Sequence, residues 1–447
     1  MWTVAQLGAD LAAGRTSSRE LTERALARIA DPAGEGARAF LKVYGESARA
    51  DADYSDRLRK AGVRRSALDG LPVSLKDLFD VAGDVTRAGS RVRETSAPAT
   101  ADAPAVARLR AAGAVFVGRT NMSEFAFSGV GLNPHFGTPK NPHDRKLGRV
   151  PGGSSSGAAV AQADGMCAVA LGSDTRGSIR GPAALCGIVG FKPTARRVPR
   201  EGAFPLSYTL DSVGPLASSV ACCAVVDAIL SGADEGTLPE FEMRGLRLLL
   251  PRSSALEELD AEVAKAFFDA VQRLSTAGAV VKEVAVPAFD RQGEYFRNGG
   301  LAAAEAYHIH RPYLARLAEY DPRIARRVLL GKDFPAADYV EIARSRAAFI
   351  REIEALAEPY DAIVMPTVAC IAPAIADADR SDDEFFRWNA RILRNNGLIN
   401  FLDGCAVTLP CHAGGGAPVG LMVCGPAMSD RRILSVSAAV ERALSRG

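Results

Sequence analysis

The chain is 447 residues long, with 48% hydrophobic and 24% charged residues and a formal net charge of +2. That length admits one large domain or two to three ordinary ones. The near-balanced charge, with no run of five basic residues, excludes the electrostatic footprint of a nucleic-acid binder. The longest uncharged stretch, Gly404 to Met428, is broken by glycines and prolines and excludes a transmembrane helix. Met1 to Gln6 lacks the basic-then-apolar layout of a signal peptide, so a cytoplasmic location is expected. Eight cysteines form no CxxC pair and sit in apolar company, as at Cys411 and Cys424, which predicts buried, reduced thiols.

In chain order, the first sixty residues read as helices: Gly14 ends the first, and Ser17 to Glu20 is a capping box opening the second. Leu71 to Leu75 is strand-like. Pro104 to Ala112 reads as a helix closed by Gly113, with Val115 to Val117 following as a strand. Cys167 to Leu171 is an apolar run between Gly165 and Gly172. Leu246 to Leu250, Val280 to Val286, Ile363 to Met365 and Gly420 to Val423 read as further strands. Helices are expected over Asp260 to Leu274 and after Ser429. Ala413 to Ala417 reads as a turn between strands. This alternation predicts an α/β fold: a large mixed, mostly parallel sheet with helices on both faces, in a single domain over 1–447. The charged helical stretch from about 290 to 350 is a candidate lid or oligomer face.

Three segments carry chemistry. Lys76 follows an apolar strand and has Leu78 and Phe79 close behind. Burial there would disfavour its charged form and make it a general base, though a surface salt bridge to Asp77 or Asp80 is the commoner fate of a lone lysine. Ser154 lies in Gly152-Gly153-Ser154-Ser155-Ser156-Gly157. This glycine-serine loop has no Gly-x-x-x-x-Gly-Lys pattern and no Gly-x-Gly-x-x-Gly, which argues against phosphate or dinucleotide binding. Ser178 follows a strand and a glycine turn and precedes a helical stretch, Ile179 to Ala184. Backbone N–H groups of Thr175, Arg176, Gly177 and Ser178 are placed there to form an oxyanion hole; a plain tight turn is the alternative. A Gly-x-Ser-x-Gly elbow at Ser155 is disfavoured because Leu147 to Pro151 is no buried strand. His135, His143, His308, His310 and His412 have no metal-ligand spacing.

Taken together, these segments resemble the amidase signature family. Asp69 to Asp77 resembles its lysine segment, Gly118 to Phe125 its substrate-facing strand and loop, and Pro151 to Gly157 its cis-serine loop. Gly172 to Arg180, with Pro182 to Gly187 and Gly190 to Thr194, resembles its nucleophile segment. Leu210 to Ala217 and Met365 to Thr367 also fit. The likeness covers about Leu68 to Gly232 and, more loosely, extends to Pro426. It implies a Ser-cisSer-Lys triad with Ser178 as nucleophile, Ser154 as bridging serine and Lys76 as base, acting through an acyl-enzyme with no metal or cofactor. The implied reaction is cleavage of a small carboxylic amide to an acid and ammonia or an amine.

Alternatives within the family are the A-type glutaminase component of a tRNA-dependent amidotransferase and a urea or allophanate-type hydrolase. A small amide is the expected partner, with a homodimer as an option and neither nucleic acid nor membrane. Met122, Ser155 and Arg176 are expected substrate contacts, and Tyr307, Phe334, Trp388 and Cys411 are further pocket candidates. Two positions depart from the usual pattern: Ser156 and Arg176 both stand where most members carry glycine. Arg176 either enters the pocket to pair with a substrate carboxylate or points to solvent or a neighbouring acid.

Overall fold

The computed structural model describes residues 2–233 and 237–445. Eleven strands form one sheet: β1 (Phe40–Val43), β2 (Pro72–Lys76), β3 (Val115–Thr120), β4 (Val169–Asp174), β5 (Val189–Lys192), β6 (Ser212–Ala217), β7 (Arg247–Arg252), β8 (Val280–Ala285), β9 (Ala362–Pro366), β10 (Cys405–Pro410) and β11 (Gly420–Gly425). Their spatial order is β1-β3-β2-β4-β6-β5-β10-β11-β9-β7-β8. Strands β2, β3, β4, β5, β6, β9 and β11 are buried along their whole length, as a sheet covered by helices requires. At the edge, β8 stays largely exposed. One continuous apolar core runs along the sheet from Val4 to Val440.

Local signals set most element ends. The Ser17 hydroxyl accepts the Glu20 N–H while the Glu20 carboxylate accepts the Ser17 N–H, so the second helix opens on the expected box. Helices span Pro104–Ala111, Ala261–Thr276 and Asp430–Ser445, each within two residues of expectation. All eight cysteines are buried free thiols. No helix among the described residues is long and apolar enough to cross a membrane.

The sheet is mixed, as expected, but the expectation that it is mostly parallel needs correction. Among the described residues, β2 pairs in parallel with β3 and β4, and β7 with β8 and β9. The other six ladders are antiparallel. Five of those six involve β1, β5, β6 or β10, the strands the sequence pattern did not reveal. Gly190 lies in β5, Gly214 and Pro215 in β6, and Pro410 ends β10; glycine and proline are depleted in strands, so periodicity reads such segments as loop. β1 is an edge strand of four residues between two helices, too short to carry a period of its own.

The stretch 290–350 is helical, with helices Gly300–His310, Pro322–Leu329 and Ala336–Ala357. It brings Ala302 and Arg327 to the wall of a cavity beside Ser178.

Candidate active site

Lys76 ends β2 and is fully buried. Its Nζ donates to Ser154 Oγ at 2.8 Å and to Ser173 Oγ at 2.8 Å. The surface salt bridge open to it in sequence does not form. Asp77 is buried against Arg119 at 2.7 Å, and Asp80 accepts from the Thr86 hydroxyl at 2.6 Å. Burial pushes the lysine down to about 7, only partly opposed by the more distant charges of Asp174 and Asp211. An amine titrating there is substantially neutral at physiological pH and can accept a proton. Ser154 follows a cis peptide bond from Gly153, and its hydroxyl is buried on the lysine.

Ser178 lies between β4 and the short helix Arg180–Cys186. The turn that carries it is organised by Asp174, the last residue of β4. This carboxylate accepts the N–H groups of Gly177 at 2.7 Å, Ile179 at 3.1 Å and Arg180 at 3.3 Å. Arg180 donates to it from Nε and Nη2, at 3.1 and 2.9 Å, and Asn400 donates from its amide at 2.9 Å. Burial alone would raise this carboxyl. The charge and hydrogen bonds of Arg180, with Lys192 and Asn400, outweigh burial and hold it well below the usual carboxylate range. Gly177 sits at φ 125°, and a Cβ there would come within 2.5 Å of Asn396 Cβ, so the turn requires glycine at this point.

This network corrects one expected oxyanion donor. The Gly177 N–H already bonds the Asp174 carboxylate and is not free for an oxyanion, which leaves Thr175, Arg176 and Ser178. The two serine loops are tied through backbone: Ser155 N–H donates to the Ser178 carbonyl at 3.2 Å. Among the described residues, Ser178 Oγ makes no hydrogen bond to Ser154. Such contacts are commonly long before substrate arrives.

Ser178 opens into a narrow cavity lined also by Phe127, Ser128, Thr175, Arg176, Arg327 and Leu393. Of the three expected substrate contacts, only Arg176 lines it. Met122 is fully buried in the apolar core, and the residues that follow it in chain, Ala126 to Ser128, form the wall instead. Ser155 is likewise buried, with its hydroxyl directed to the Ser173 carbonyl at 3.4 Å. Tyr307, Phe334, Trp388 and Cys411 do not line the cavity either; Cys411 packs at the far end of β10, where its thiol meets the Val419 carbonyl. Among the described residues, Arg176 finds no neighbouring acid. It lies over the Phe296 ring, with its guanidinium carbon 3.9 Å from the centroid.

The histidines serve elsewhere. His135 contacts Glu124 at 3.0 Å, and His310 Nδ1 meets the Tyr320 hydroxyl at 2.8 Å. Burial, helped by Arg93, pushes His310 down to about 4, so it is neutral.

Four positions at this site escaped the sequence reading. Ser173 and Asp174 lie inside the quoted nucleophile segment, and a polar pair ending an apolar strand was the available signal. Asn400 and Arg327 carry no local signal: each reaches the site from a helix more than a hundred residues downstream of Ser178.

Comparison with known proteins finds relatives along nearly the whole chain. The model of the amidase family matches residues 20–434. The 2-amino-5-chloromuconic acid deaminase of Comamonas testosteroni is 36% identical, over 97% of this chain and 96% of its own length. The A-type component of the glutamyl-tRNA(Gln) amidotransferase of Roseiflexus sp. (strain RS-1) is 35% identical, over 96% and 93%. Among solved structures, an amidase superposes with a TM-score of 0.88 at 32% identity, covering 99% of both chains.

Proposed function

The chain belongs to the amidase family of C–N hydrolases, and on that premise we propose that it cleaves a small carboxylic amide through Ser178, Ser154 and Lys76. The observation that carries this reading is the buried amine of Lys76, held 2.8 Å from Ser154 Oγ and pushed toward neutrality. Neutral Lys76 takes a proton from Ser154 as Ser154 takes one from Ser178. The Ser178 oxygen then adds to the amide carbonyl. Negative charge on the former carbonyl oxygen is met by the N–H groups of Thr175, Arg176 and Ser178; one such donor is worth about 3–4 kcal/mol in the transition state. The relay returns its proton to the leaving nitrogen, the C–N bond breaks, and water hydrolyses the acyl-enzyme by the same route.

Ser173 positions the lysine from its other side, and Asp174 fixes the turn that presents Ser178. Both act through a neighbour and do not touch the substrate. Ammonia release from a panel of aliphatic, aromatic, carboxylate-bearing and urea-type amides tests the proposal: wild type turns over one class and Ser178→Ala none. Equal turnover by Ser178→Ala overturns it.

A second reading, a glutaminase component working with a partner protein, is favoured by the similarity to the A-type amidotransferase component along nearly the whole chain. Glutaminase activity that appears only with a co-purifying second protein would establish it.

A further inference from the structure

Two arginines line the cavity beside Ser178, and among the described residues neither meets an acidic side chain. Arg176 leaves the nucleophile turn and lies between the Phe296 ring and the helix Asp382–Phe401. Gly397 of that helix makes the room: a Cβ there would stand 3.2 Å from Arg176 Nε. Arg327 arrives from the helix Pro322–Leu329 and lies over Phe127, with its guanidinium carbon 4.4 Å from the ring centroid. The Nε atoms of both are shut off from solvent and have no hydrogen-bond partner. No acidic side chain offsets either charge among the described residues. Burial lowers Arg176 to about 10, and burial together with the charge of Arg176 lowers Arg327 to about 9.

Among the described residues, the two arginines with no exposed surface are matched. Arg119 is paired with Asp77 and Arg180 with Asp174. Two part-buried cations with no acid beside them are unfavourable by themselves, and an anion would complete the arrangement. Guanidinium forks fit a carboxylate in plane, two N–H groups to two oxygens, and the aromatic rings beneath them hold the forks in place. The remaining walls are apolar or hydroxyl-bearing and include no acid. An ammonium group on the substrate would therefore meet two positive charges and no negative one.

We propose that this cavity selects an amide bearing a free carboxylate and no amino group, such as the monoamide of a short dicarboxylic acid, with Arg176 and Arg327 clamping the carboxylate while the amide carbonyl faces Ser178. The inference rests on Ser178 being the nucleophile. Hydrolysis of such a substrate breaks its C–N bond, releases ammonia with the relayed proton, and takes the oxygen of water into a dicarboxylate product.

Binding is measured by calorimetry on the Ser178→Ala protein, so that turnover plays no part. The probes are the monoamides of butanedioic, butenedioic and pentanedioic acid, butanamide as the uncharged match, and glutamine. At least one monoamide acid is expected to bind about 30-fold or more tightly than butanamide and glutamine. Arg176→Met and Arg327→Met, each added to that background, should remove the preference. Each should also raise the thermal midpoint of the ligand-free protein, since a desolvated charge goes while an apolar stem remains to pack on the ring. No binding by any acid, equal binding of butanamide, equal binding of glutamine, or a preference that survives both arginine substitutions overturns the proposal. A fall in midpoint with the preference intact marks the arginines as structural and also overturns it. The nucleophile assignment fails separately, through retained turnover in Ser178→Ala.

Discussion

The two sides of the Ser178 cavity are built differently. On the catalytic side every charge has a partner: Lys76 holds two serine hydroxyls, and Asp174 collects Arg180, Asn400 and three backbone N–H groups. On the opposite wall Arg176 and Arg327 are stacked on rings, and the Nε of each is bonded to nothing. A fully satisfied network is rigid and holds a nucleophile at one position. A wall left one anion short is unfavourable until ligand arrives, and its identity is set by what completes it. On the proposed reading, chemistry and recognition use different side chains around one serine, and they should fail in different ways when broken.

The largest expected effect is on the catalytic side. Ser178→Ala should lower kcat by on the order of 10⁴-fold or more with the thermal midpoint little changed, as read from ammonia release and a melting curve. Asp174→Asn should act mainly on stability. It removes the charge that answers buried Arg180, and denaturant unfolding should show a loss of about 3–5 kcal/mol. A loss below about 1 kcal/mol would mean that the turn does not depend on this anchor.

The pH profile sharpens the role of Lys76. Its pKa is lowered in the folded protein, so the neutral, proton-accepting form grows as pH rises through about 7. Then kcat/KM should fall about tenfold per unit below that point and level off above it. A profile flat from pH 5 to 9 would remove the lysine as base. Ser173→Ala is the mildest change. Loss of one hydrogen bond, worth about 1 kcal/mol, should reduce kcat about fivefold and shift the midpoint of the pH profile. An unchanged midpoint would deny Ser173 its positioning role.

The same contrast governs what the sequence could tell. The cluster of Lys76, Ser154 and Ser178 was legible through the family resemblance, which its short segments carry: Lys76 at the end of an apolar strand, Ser154 and Ser178 in glycine-marked turns. Even there a local reading overcounted. The Gly177 N–H points to Asp174 because the side chain four residues before the nucleophile folds back over the turn. The opposite wall was hidden. Arg176 stood out by displacing glycine, but its setting depends on Phe296, Gly397 and Arg327, which come together only through the tertiary fold. Met122 looked like a contact because it lies in a substrate-facing segment. Yet the wall is formed a turn later, at Ala126 to Ser128, where Phe125 and Ala126 are both held at positive φ. The antiparallel strands β5, β6 and β10 were missed for a similar reason: their pairing is decided across the sheet, and their glycines and prolines mask them locally.

Labelling with a fluorophosphonate, followed by mass spectrometry of the intact protein and its peptides across pH 5 to 9, tests the central assignment most directly. One adduct on Ser178 is expected, forming faster as pH rises through about 7, abolished in Ser178→Ala and strongly slowed in Lys76→Ala. Labelling of a different serine, or a rate on Ser178 indifferent both to pH and to Lys76, would contradict it.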